Sequence, residues 1–75
     1  MRLLITQEAV LLNLELIDSF GCSNRSSNYY VVAFCGIKTY YLLRQDSESS
    51  AKSWIFNDLI KLIQSDQKVI DLRKV

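Results

Sequence analysis

The chain holds few side chains able to do covalent chemistry. Cys22 and Cys35 are its only thiols, and it has no histidine. Histidine is the commonest general base and metal ligand, so neither cysteine has the partner that would activate it. Two thiolates alone do not complete a four-ligand zinc site. Paired carboxylates are another route to acid–base work. Glu15 with Asp18, and Asp46 with Glu48, are near one another in sequence. Both pairs fall in turn-like segments, where acids serve as caps and solvated groups. No glycine-rich phosphate loop is present. No catalytic residue, metal ligand or cofactor is expected, and the chain reads as a binding protein rather than an enzyme.

Two constellations suit recognition. Tyr29, Lys38, Tyr40 and Arg44 alternate along a Tyr-, Val- and Ile-rich stretch. On a pleated hairpin they would share one face, where aromatic rings stack bases and cations hold phosphates or acidic groups. The bland account is that Tyr is a good strand residue and that Lys and Arg stems cover apolar surface. Trp54, Phe56 and Ile60 form the second group. They widen the apolar arc of a helix beyond the stripe an ordinary surface helix shows. That excess points to self-association or a partner groove; its rival is a helix wrapped by its own sheet.

The elements that must position these groups follow from periodicity. Residues 2–6 read as a short strand. Val10, Leu12, Leu14 and Leu16 keep one parity, so residues 9–17 read as strand with a tight turn near 13–16. A helix capped by Thr6 is the rival reading, through Ala9, Leu12 and Leu16. Residues 17–22 continue as strand, and 21–28 form a polar loop. Residues 29–43 fold as a hairpin about Cys35-Gly36, pairing Phe34 with Ile37 and Val32 with Thr39. The face of Tyr30, Val32, Phe34, Ile37, Thr39, Tyr41 and Leu43 is the more apolar and is expected to be the core. Ser47 or Ser49 caps a helix over about 50–65. Residues 68–72 form a last strand. The expected fold is α+β: a small antiparallel sheet of about four to six short strands against one amphipathic helix.

At 75 residues the chain is expected to form a single domain, 1–75, with a thin core. An apolar share of 49% and a charged share of 23% mark it as globular rather than disordered. Its net charge of +1 provides no general basic field, so nucleic acid is not the expected partner. No apolar run is long enough to span a membrane. The N-terminus lacks the pattern of a secretory signal. The expected compartment is the cytoplasm, with both cysteines as free thiols.

Three stretches carry a resemblance: Leu3-Leu4-Ile5-Thr6-Gln7, then residues 12–20, then Tyr41-Leu42-Leu43-Arg44-Gln45-Asp46-Ser47-Glu48-Ser49-Ser50-Ala51. They resemble a family of small uncharacterised proteins from phages and integrative elements of Gram-positive bacteria. Those proteins open on a strand ending in a Thr-Gln-like pair and place a Ser/Thr-Glu-rich turn before their helix. The resemblance implies a mobile-element origin, a strand rather than a helix over residues 9–20, and inhibition of a host defence component. It assigns no catalytic residues. The expected partner is a host protein. Sequestering a small phosphorylated or cyclic nucleotide is the alternative and weak nucleic-acid binding the third reading; a second copy in a homodimer is a further partner under the first.

Overall fold

The computed structural model describes residues 1–75 and contains two three-stranded sheets. One has the order β2-β1-β6, from β1 (Leu3–Ile5), β2 (Leu11–Asn13) and β6 (Val69–Asp71). The other has the order β3-β4-β5, from β3 (Ser19–Arg25), β4 (Asn28–Cys35) and β5 (Lys38–Gln45). A continuous helix of 17 residues follows β5. It consists of α1 (Glu48–Trp54), a π segment (Ile55–Leu59) and α2 (Ile60–Gln64). The chain is an α+β fold, but the strands form two sheets rather than one. One pairing, β1 with β6, is parallel. Parallel neighbours need a long crossover, and here nearly the whole chain lies between them.

Residues 9–17 contain the strand β2, then a 3-10 turn at Leu14–Leu16, capped when Asn13 Oδ1 accepts from the Glu15 amide at 3.0 Å. The polar run 21–28 is mostly strand, not the loop its composition suggests. Only Ser26 and Ser27 turn, with φ of 51° and 69°. Two central residues with positive φ match the twist of a hairpin, and strand pairing to β4 organises the remaining polar residues.

The next hairpin turns one residue later than expected. Cys35 pairs with Lys38, Phe34 with Thr39 and Val32 with Tyr41. Gly36 takes φ +61° and Ile37 does not take a positive φ, the arrangement that places glycine first in a two-residue turn. Asp18 Oδ2 accepts from the Gly36 amide at 2.7 Å and holds that turn. The pairing shifts by an even number of residues, so face membership survives near the turn. Beyond it a bulge at Leu42 changes the parity: Val31 opposes Leu43 and Tyr30 opposes Arg44.

Over residues 30–41 the inward face is the reverse of the expected one, while Leu43, beyond the bulge, is buried as expected. The core gathers Val31, Ala33, Leu42 and Leu43 with Ala51, Trp54 and Leu59 of the helix and Leu4, Leu12 and Ile70 of the smaller sheet. Ala33 and Ala51 are fully buried. Small side chains at both positions let the helix approach closely and leave room for the Trp54 ring.

The helix begins at Ser47, whose Oγ accepts from the Ser50 amide at 3.0 Å. It ends on Arg2. That guanidinium donates to the carbonyls of Ile63 (2.6 Å), Leu62 (3.2 Å) and Ser65 (3.0 Å), and Nε donates to that of Gln67 (3.0 Å). A cation among carbonyls left free at a helix C-terminus also complements the dipole. The π segment, marked by the Ile60 amide bonding to the Ile55 carbonyl, holds an extra residue in its turn. Residues beyond it lag in rotation. Leu59, Leu62 and Ile63, which α periodicity already places beside Ala51 and Ile55, pack on the core with them and with Trp54. The arc that looked too wide in α periodicity is narrowed by this turn.

Candidate functional site

The outer face of β3-β4-β5 is built in rows. Ser19, Phe34 and Thr39 form one row; Gly21, Val32 and Tyr41 the next; Ser23, Tyr30 and Arg44 the third; Arg25 lies beyond them. Val32 is fully buried although it lies outside the main core. It sits between Tyr41 and Gly21 across the sheet and between Tyr30 and Phe34 along its strand. The Tyr30 and Tyr41 rings meet edge to face, with centroids 5.1 Å apart and an interplanar angle of 75°. The Arg25 guanidinium lies over the Tyr41 ring, 5.0 Å from its centroid. At an exposed site such a contact is worth about 0.5–1 kcal/mol.

Gly21 lets the Phe34 ring lie close over the strand. A Cβ on it would meet the Phe34 ring at 3.0 Å, so a side chain would displace that ring. Phe34 lies against the bare backbone and remains 36% exposed. Arg25 and Arg44 form no salt bridge; the ion pairs of the molecule are Lys52–Glu48 and Arg73–Asp71. No acidic residue stands in these rows. The face therefore offers three aromatic rings and two unpaired cations, with a tyrosine–arginine composition typical of strongly contributing interface residues.

The structure does not bring together the four residues predicted from alternation. Tyr29, Lys38 and Tyr40 lie on the helix side, whereas the bulge sends Arg44 to the outer face. Tyr40 packs against the core. Tyr29 joins Cys22, Ser23, Asn24, Glu48 and Lys52 around a groove of about 400 Å³. Glu48 and Lys52 there pair at 2.7 Å, and the contact lowers the Glu48 pKa and raises that of Lys52. That groove has no free cation cluster for a phosphate.

Of the helix group, Trp54 is a core residue, 8% exposed. Its remaining surface lines a second groove, of about 470 Å³, with Asp58, Lys61, Leu62 and Val75. Phe56 and Ile60, one turn apart, remain on the outside. The helix patch is thus two side chains rather than three. Of the outer residues missed by the prediction, Tyr30, Phe34 and Tyr41 were visible as strand residues but assigned to the core, and Arg25 fell in the expected polar loop. The signal for them was Ala33: the face with the small residue is the one a helix can approach.

Both cysteines carry free thiols. No group of three or more His, Cys, Asp or Glu side chains is placed to hold a metal ion. No helix is long and apolar enough to cross a membrane. Comparison with protein-family models, curated proteins and solved structures returns no match. The description that the fold and the site support is an α+β domain with one exposed aromatic and cationic sheet face.

Proposed function

We propose that this chain is a non-enzymatic binding protein of the phage or mobile-element kind. It inhibits a host defence protein by covering part of its surface with the outer face of β3-β4-β5. The carrying observation is that face: Tyr30, Phe34 and Tyr41 around the buried Val32, with unpaired Arg25 and Arg44 and no carboxylate. Its rings pack on one another, and Arg25 covers a face of Tyr41. Rings arranged in this way favour docking on a protein with acidic groups at its rim. A single-stranded nucleic acid needs open ring faces for its bases and several more phosphate contacts.

The test is capture from a host lysate with the unaltered chain and with a Phe34→Ser, Arg44→Glu double variant, followed by mass spectrometry. A host protein retained by the first and lost from the second, with both chains equally folded, is the expected result. Recovery of a nucleotide or nucleic acid in its place, or retention unaffected by the double variant, would refute the reading.

A further inference from the structure

The four sheet edges are unequal. β2 and β6 are three residues long. β5 is bulged and partly covered: the Gln7 amide donates to the Leu42 carbonyl at 2.8 Å, and the Arg44 amide donates to Gln7 Oε1 at 3.0 Å. β3 has seven residues and pairs only with β4. In a two-residue hairpin the pair flanking the turn, here Arg25 and Asn28, exchanges both backbone bonds. The bonds then alternate, so Arg25, Ser23, Gly21 and Ser19 point at β4. Phe20, Cys22 and Asn24 point their N–H and C=O groups away. No backbone or side-chain partner within the chain meets those groups. Between Phe20 and Asn24 the edge has no proline, charge or bulge, the devices that usually prevent strand pairing.

We propose that this edge is a strand-pairing site for a second copy of the chain, joined antiparallel through β3 about a two-fold axis at Cys22. The register is self-complementary. Cys22 faces Cys22 of the second copy, and Phe20 faces Asn24 in both directions. Every outward donor and acceptor is therefore met at once, a closed isologous interface. Arg25 falls opposite Ser19, so no like charges oppose each other along the strand. Glu48 and Lys52 beside the seam neutralise each other within each copy. The product is a six-stranded sheet with both helices on one side and both aromatic faces on the other. This pairing does not depend on what those faces bind.

Light scattering over a wide concentration range, with amide hydrogen exchange at its two ends, tests the proposal on the unaltered chain. The expected result is a mass approaching twice 8.7 kDa, with the amides of Phe20, Cys22 and Asn24 becoming slow to exchange as the dimer fills. Asn24→Pro removes an outward donor while sparing the β4 ladder, and a folded Asn24→Pro chain should remain monomeric. The proposal fails if the unaltered chain remains monomeric at high concentration. It also fails if a dimer forms while those three amides stay fast, because association then uses another surface. An Asn24→Pro chain that folds and still dimerises refutes it as well.

Discussion

The strands of β2-β1-β6 are three residues long, whereas those of β3-β4-β5 have seven or eight. The short sheet contributes Leu4, Leu12 and Ile70 to the common core and keeps little else buried. Its outward side chains include Leu11 at 60% exposure and Val69 at 46%. It depends on attachments: Arg2 to the helix end, and Leu3 N–H to the Lys68 carbonyl at 2.8 Å. The long sheet has a longer ladder, interrupted by one bulge, and buries residues on both sides, Val31 and Ala33 under the helix and Val32 under its own rings. The short sheet is therefore stabilised by tertiary contacts. The long one shares the common core through Val31, Ala33, Leu42 and Leu43 and exposes aromatic side chains on its other side.

Removing one buried side chain from each sheet should give unequal losses of stability. Leu4→Ala is expected to cost about 3–5 kcal/mol, the range for a fully buried leucine. Marginal stabilities are of similar size for so short a chain, so this variant should be largely unfolded in a thermal melt. Val32→Ala should cost about 1.5 kcal/mol, for two lost methyl groups. Equal costs in urea titration would mean that the outer face is a second core and not a binding surface.

Arg2→Met comes next. It leaves the helix carbonyls without their charged donor and is expected to cost about 2–3 kcal/mol. The loss should appear first as faster hydrogen exchange in β1 and β6, with β4 unaffected.

The turns provide a smaller contrast of opposite sign. Ser26→Asn with Ser27→Gly suits both positive φ positions and should stabilise the long hairpin by about 0.5–1 kcal/mol. Ala9, at φ 67° in the short hairpin, should gain somewhat less on Ala9→Gly. Differential scanning calorimetry reads both changes, and a destabilised Asn-Gly hairpin would contradict the turn assigned here.

The smallest effect concerns pH. The Arg73 guanidinium and amide hold the Asp71 carboxyl at about 2, below its ordinary 3.8. A depressed carboxyl contributes stability above its unfolded pKa and loses it as pH falls. The loss should occupy the window from about 3.8 down to about 2. The melting temperature of an Asp71→Asn chain should be less sensitive to acid across that window.

Much of the secondary structure was legible. Strand patterning located β1, β2, β4, β5 and the first part of β3, the serines before residue 50 marked the helix start, and the terminal strand lay within one or two residues of β6. Two local features were not. The bulge at Leu42 depends on Gln7, far away in sequence, taking over the Leu42 carbonyl and the Arg44 amide. The π turn lies over Ile55–Leu59, with Leu59 buried in the core. Neither leaves a mark in a pattern of period two or 3.6. The candidate site suffered most, since its predicted members were separated by that one bulge.

By itself the sequence determined that the chain is a small α+β domain without histidine chemistry, because composition, periodicity and turn residues act locally. It also determined which side chains of residues 29–41 travel together, because alternation is a property of the strand. Tertiary structure alone decided which face turns inward. Alternation is symmetric between the two sides of a sheet, and only the approach of the helix over Ala33 breaks that symmetry. The same decision placed Tyr30, Phe34 and Tyr41 where a partner can reach them.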